Sequence, residues 1–207
     1  MRRFMASRAK RLATMLAAAL FAGCISIGPG DPTPVTWYEL STPLPTETAP
    51  RTIPRALWVD VLPGSEFYEA VSIAFSRAPG ERAYYRFANW TEPVAQRLAR
   101  IVERDLRARK AFTDVGALGD GSRAELYLRL VVDDFFHDAA AEPGTVRVAF
   151  SAELVDVATR QRLGREHFSQ AVAVGEANAA GAVAAFDAAV GAALDDLAAW
   201  LLRVAAP

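Results

Sequence analysis

The sequence predicts an α/β fold of the α+β kind: a mixed, largely antiparallel sheet covered by two long amphipathic helices, in a single domain. Three observations carry that prediction. The segments Ala124–His137, Thr145–Val157 and Arg162–Val174 alternate apolar and polar residues at period two, the pattern of neighbouring antiparallel strands with one buried face. Val94, Leu98, Ile101, Val102 and Leu106 recur at helical spacing opposite Arg97, Arg100, Arg104 and Arg107. Val183, Phe186, Val190, Leu194, Leu197 and Leu201 make a second such stripe across Ala179–Arg203, where Asp187, Asp195 and Asp196 mark the helix as amphipathic rather than transmembrane.

Ahead of these elements, Arg2, Arg3, Arg8, Lys10 and Arg11 precede the apolar run Leu12–Ala22 with no acidic residue among them. That order is a secretory signal peptide, residues 1–23. The run is eleven residues long, whereas a helix needs roughly 20 to span a hydrocarbon core. It ends in Phe21-Ala22-Gly23-Cys24, which resembles the lipobox of bacterial lipoproteins, where small residues let a peptidase cut at the Cys amine. Phe21 stands where that motif usually has Leu and still supplies an apolar side chain. A lone Cys is most often simply buried. Cys24 instead closes a signal core, so it is expected to carry the lipid, and two or more acyl chains hold a protein stably to a membrane.

Cleavage before Cys24 removes 23 of the 207 residues and leaves 184, enough for one domain burying roughly 70% of its unfolded surface. Cys24 is the only Cys, so the exported domain can form no internal disulfide and relies on an apolar core. Loss of five basic residues takes the net charge from −1 to −6, a balance that argues against nucleic acid or an anionic headgroup as ligand.

Residues 24–36 are expected to form the lipidated Cys and a tether, because Gly28, Pro29, Gly30, Pro32 and Pro34 sustain neither helix nor sheet. About ten extended residues reach at most ~35 Å. The domain proper, 37–207, opens on a short strand at Thr36–Leu40, followed by a Pro-rich stretch, Ser41–Pro54, expected to be extended and exposed. Ala56–Pro63 alternates as a strand. Ala70–Ser76 and Arg82–Phe87 read as a hairpin around Ala78-Pro79-Gly80-Glu81. Thr91 is placed to cap the first helix, with Pro93 in its first turn. Phe112–Leu118 is a further short strand, and Asp120-Gly121-Ser122 a turn.

Catalytic chemistry has few candidates. His137 and His167 are the only histidines, and no nucleophile elbow, phosphate loop, zinc-protease or dinucleotide motif is present, so no metal or cofactor is expected. In Asp133-Asp134-Phe135-Phe136-His137-Asp138, a straight strand would put Asp133 and His137 on one face but ~13 Å apart, too far to hold one ion. That stretch is expected to be a strand end emerging into solvent.

Tyr85-Arg86-Phe87-Ala88-Asn89-Trp90-Thr91-Glu92-Pro93-Val94 resembles the Trp-Ala-Glu-Pro-Leu-like motif that opens the first helix of the ABC-type transport auxiliary lipoprotein family, which includes the paraquat-inducible protein C type. Trp90, Glu92 and Pro93 match; Thr91 and Val94 depart from the commonest letters. Trp37-Tyr38-Glu39-Leu40, Val59-Asp60-Val61-Leu62-Pro63 and the closing Leu197-Ala198-Ala199-Trp200-Leu201 fit the same family, so the resemblance covers nearly the whole mature chain. It implies a non-enzymatic accessory of an intermembrane phospholipid transport system that maintains envelope integrity, anchored at the outer membrane. The implied partner is a periplasmic mammalian-cell-entry-type substrate-binding protein of an ABC transporter, with homo-oligomerisation left open. Ile25 after the lipid Cys is similar to the usual outer-membrane sorting signal. A structural lipoprotein of Tol or peptidoglycan assemblies is the rival reading. Trp90 itself serves either packing or partner contact, and an aromatic just ahead of a helix usually packs on the core. For a protein partner, the aromatic-rich stretch Phe67–Phe87, with Tyr68, Tyr84 and Tyr85, is the candidate surface.

Overall fold

The computed structural model describes residues 33–117 and 123–205; the signal peptide expected at 1–23, Cys24 and the turn expected at 120–122 lie outside the described residues. In chain order come β1 (Thr36–Tyr38), β2 (Ile53–Pro63), a short 3-10 helix (Glu66–Glu69), β3 (Ser72–Ser76), β4 (Ala83–Trp90), α1 (Val94–Ala108), β5 (Phe112–Ala117), β6 (Leu126–Asp138), β7 (Thr145–Asp156), β8 (Arg162–Ala173) and α2 (Ala179–Val204). All fall in one unit of the chain, Val35–Pro207. The fold is α+β, with one mixed eight-stranded sheet.

The sheet forks at β6. One edge of β6 carries β7 and then β8 in long antiparallel ladders. The other edge is shared. Its first half, Leu126–Val132, pairs parallel with β2, which bears β5 beyond it, also parallel. Its last residues, His137 and Asp138, pair parallel with β3, which leads to β4 antiparallel and β1 parallel. The β6–β7 register shifts between Val132 and Asp134, and this bulge opens the fork. Gly64 turns the chain there: its N–H donates to the Val132 carbonyl at 2.9 Å, and a Cβ on it would stand 2.3 Å from that oxygen.

The bulge also changes which residues face inward. Leu126, Leu128, Leu130 and Val132 are buried before it, Phe135 after it, so the parity moves from even to odd. His137 is therefore only 2% exposed, which corrects the expectation that this strand end emerges into solvent. Phe136 is buried as well, under the Arg82 guanidinium 3.5 Å from its ring centroid.

Helix α1 packs on β2 and β5, α2 on β7 and β8, and the two helices touch. Both predicted stripes are buried, and each fully buried Leu or Val contributes about 1.5–3 kcal/mol relative to exposure. Asn178 caps α2, accepting from Gly181 N–H at 2.8 Å. No helix among the described residues is long and apolar enough to cross a membrane.

Two local expectations are corrected. Thr91 does not cap α1: β4 runs on to Trp90, the Thr91 N–H donates to the Tyr38 carbonyl at 2.8 Å, and Pro93 takes the cap position without a side-chain bond. The stretch Ser41–Pro54 is not wholly exposed, since Thr42 and Ile53 are buried and β2 already begins at Ile53. Pro54 is accommodated there because the β2–β5 register shifts between Ile53 and Ala56, where no ladder donor is required of it.

Candidate functional site

The junction of β4 and α1 gathers the residues that the sequence singles out. Trp90 ends β4 at 2% exposure, edge-on to Phe135 of β6 at 6.0 Å and to Phe186 of α2 at 5.4 Å. Those two rings stack on each other at 4.4 Å, so the indole locks sheet to helix. Glu92 turns outward just before α1, where its carboxylate meets Arg97 at 3.8 Å and also pairs with Arg100. Pro93 supplies the first helical acceptor, its carbonyl receiving Arg97 N–H at 3.2 Å.

Arg97 does more than pair with Glu92. Its Nε donates to the Leu40 carbonyl at 2.7 Å, and the same guanidinium pairs with Glu39. About two turns further, Arg104 donates to the Thr42 carbonyl at 2.7 Å. From the other side, Asp187 of α2 accepts the Ser41 N–H at 2.8 Å. Burial raises the Asp187 carboxyl above the ordinary range, and the Ser41 bond and nearby Arg97 pull against that rise without cancelling it. Segment 39–42 is thus clamped between both helices. The arginines of α1 look like a solvated face in sequence, and nothing local distinguishes Arg97 and Arg104 as clamps, because their acceptors are backbone carbonyls more than fifty residues away.

Away from this junction, the strand registers assemble two polar groups. Asp60, Arg129, Glu153 and Arg165 lie side by side across β2, β6, β7 and β8, and Arg129 meets Glu153 at 3.6 Å. Tyr127 donates to Asp60 at 2.7 Å, and burial together with that bond pushes its phenol up to about 12. Asp133, Ser151 and His167 form the second group: Ser151 donates to Asp133 at 2.7 Å, and His167 Nδ1 lies 3.3 Å from the same carboxylate oxygen. A nucleophilic triad needs the serine on the ring nitrogen opposite the carboxylate. Here Ser151 Oγ faces Nδ1 too, at 3.5 Å, and gives its proton to Asp133, so the hydroxyl is not activated.

His137 sits apart in a cleft lined by Phe75, Tyr85 and Pro143. Its Nε2 lies 2.9 Å from the Pro143 carbonyl and must donate there, which leaves Nδ1 to accept from the Tyr85 hydroxyl at 2.7 Å. Among the described residues no group of three His, Cys, Asp or Glu side chains is placed to hold a metal ion.

The sequence model of the family described as ABC-type transport auxiliary lipoprotein component matches residues 38–198. The chain belongs to this family. The match begins at Tyr38 and takes in the clamped segment, the Trp90–Pro93 junction, α1 and most of α2 of the auxiliary lipoprotein. The family is defined as a component of a transport system, not by a reaction. This auxiliary lipoprotein is similar in fold to the crystal structure of XCC0632 from Xanthomonas campestris, a DUF330-family protein, at 21% identity and a TM-score of 0.72, over 82% of this chain and 96% of that one. A second crystal structure, of an uncharacterized protein, is similar at 16% identity and a TM-score of 0.66, over 82% and 99% of the two chains. At these identities the likeness establishes fold alone. No curated protein matches.

Proposed function

We propose that this auxiliary lipoprotein is held by lipid on Cys24 at the periplasmic face of the outer membrane and serves an ABC-driven phospholipid transport system between the two membranes. It does so by engaging a periplasmic mammalian-cell-entry-type substrate-binding protein. The family match across residues 38–198 carries this reading, because it ties nearly all of the folded domain, and not one motif, to a transport component.

The way side chains are used supports a binding role for exposed surface. Trp90 and Glu92 are committed to packing and ion pairs. Within Phe67–Phe87, Tyr68 is buried, Phe67 stacks on Tyr84 at 4.2 Å, and Tyr85 is tied to His137. The outer side of Tyr84 and the hairpin residues Arg77 and Glu81 remain exposed, and these form the proposed partner contact.

Co-purification of the full-length lipoprotein with the mammalian-cell-entry protein, both expressed together, tests the assignment. Arg77→Glu with Glu81→Lys is expected to weaken the complex while leaving the thermal midpoint unchanged. Retrieval of only Tol or peptidoglycan components from envelope extracts would overturn it in favour of a structural envelope role. Cys24→Ala is expected to abolish fatty-acid labelling, and unchanged labelling would remove the anchor.

A further inference from the structure

Where the tether enters the domain, three large apolar side chains stay in solvent. Within Trp37-Tyr38-Glu39-Leu40, Tyr38 packs against the core, Glu39 pairs with Arg97 and Leu40 is buried. Trp37 is left 56% exposed, an unusual state for the largest side chain. The parallel β1–β4 register puts Thr36 beside Ala88 and Trp37 beside Asn89. Continued by one residue, that register sets Val35 beside Phe87, which precedes the buried Ala88 at the point where the β3–β4 ladder is irregular. Phe87 is 41% exposed, and Val35, next but one to Trp37, is 43% exposed. Arg86 lies beside them with its guanidinium 5.1 Å from the Phe87 ring centroid, and it pairs with no carboxylate among the described residues.

A contiguous exposed apolar patch marks a contact surface. The length of chain beyond it says what that surface meets. Ten residues, 25–34, separate Cys24 from Val35, a reach of at most ~35 Å. The tether enters at Val35, which is itself part of the patch. Trp suits the boundary between acyl chains and headgroups, because an apolar ring and an indole N–H belong in different layers, and an Arg stem lies along apolar surface while its head reaches a phosphate.

We propose that Val35, Trp37 and Phe87 dock on the phospholipid surface that holds Cys24, with Arg86 at the headgroups, so that the β1–β4 edge faces the bilayer. This rests on the reading of Cys24 as the lipid anchor. The contact orients the domain and leaves the β3–β4 hairpin tip free for a partner. Because the mature chain is acidic, apolar insertion rather than net charge drives it, and the contact is expected to survive high salt.

The test uses the full lipoprotein, reconstituted in phosphatidylethanolamine and phosphatidylglycerol vesicles containing lipid brominated on its acyl chains. Trp90 and Trp200 are buried and Trp58 is half-buried, so Trp37 is the indole available to lipid. Bromine-dependent quenching is expected in the parent protein and lost in Trp37→Phe. Val35→Ser with Phe87→Ser, which leaves Trp37 in place, is expected to raise its accessibility to aqueous iodide. Equal quenching in the parent and Trp37→Phe, or none in either, overturns the proposal. So does protection of Trp37 in native envelope membranes but not in lipid-only vesicles, which would assign the surface to a protein partner. Intact mass from the same sample separates the two readings: acyl mass without quenching removes the docking surface alone, whereas absence of acyl mass removes the anchor as well.

Discussion

Trp90 and Phe186 meet edge to face at 5.4 Å, joining the last residue of β4 to the first half of α2. Phe135 of β6 completes the cluster against both rings. Three elements distant in sequence therefore depend on one indole. Trp90→Ala is expected to cost about 3–5 kcal/mol in urea unfolding, and Trp90→Phe clearly less because part of the volume is kept. A Trp90→Ala protein with parental stability but lost partner binding would reverse the assignment of this residue from packing to contact.

Glu92 and Arg97 act on the neighbouring segment. Arg97 is mostly buried and holds Glu39 and the Leu40 carbonyl as well as Glu92, whereas Arg100 is more than half exposed and has Glu92 alone. Arg97→Met should therefore cost about 2–3 kcal/mol, since it frees the Leu40 carbonyl and the Glu39 carboxylate and leaves Glu92 with Arg100 alone. Arg100→Met should cost less than about 1 kcal/mol, as exposed pairs do. Limited proteolysis between Pro43 and Pro50 is expected to accelerate in Arg97→Met only; equal acceleration in both variants would place the clamp elsewhere.

What could be read from sequence divides along a physical line. Periodicity is local, so the alternation of β6, β7 and β8 and the stripes of α1 and α2 were legible, and the hairpin followed from its turn residues. The parallel pairing of β2 with β5 and β6 joins segments roughly fifty residues or more apart and leaves no local trace. The bulge at Asp133 was illegible for another reason: an alternating pattern assumes a regular ladder, and one extra residue reverses its meaning for Phe135 and His137. Thr91 misled because its N–H had a better acceptor in the Tyr38 carbonyl, a contact that exists only once β1 lies beside β4. The Trp90–Pro93 motif was recognisable as a string of letters. Its clamps, Arg97 and Arg104, were not, because backbone carbonyls carry no sequence signature.

Gly64 and Gly191 should respond oppositely to alanine. At Gly64 the added Cβ would meet the Val132 carbonyl oxygen at 2.3 Å, and backbone at the fork of β6 has no flexible end to yield. Gly64→Ala is expected to cost about 1–3 kcal/mol or more by forcing that strand apart. Gly191 lies inside α2, where an added Cβ would find nothing within 4 Å, so Gly191→Ala is expected to stabilise by roughly 0.5–1 kcal/mol through helix propensity. Thermal unfolding of both variants checks the pair, and a neutral Gly64→Ala would mean that the fork can open without loss.

Asp187 offers a test by pH. Its carboxyl is raised by burial in the folded chain, despite the Ser41 N–H at 2.8 Å and nearby Arg97. At neutral pH both folded and unfolded chains carry the ionised form, and the folded one holds it in the less favourable setting. As pH falls through the raised folded value, the folded chain takes up the proton first and the penalty is relieved; below the unfolded value of about 3.9 it is gone. Asp187→Asn keeps an oxygen to accept from Ser41 but never ionises. It is therefore expected to be more stable than the parent at pH 7, with the difference shrinking steadily towards pH 4 in urea unfolding. A difference that stays constant would mean that Asp187 takes up its proton alike in both states, whereas one that grows on acidification would show that its charge supports the fold through Arg97 and that the clamp on segment 39–42 is electrostatic at both ends.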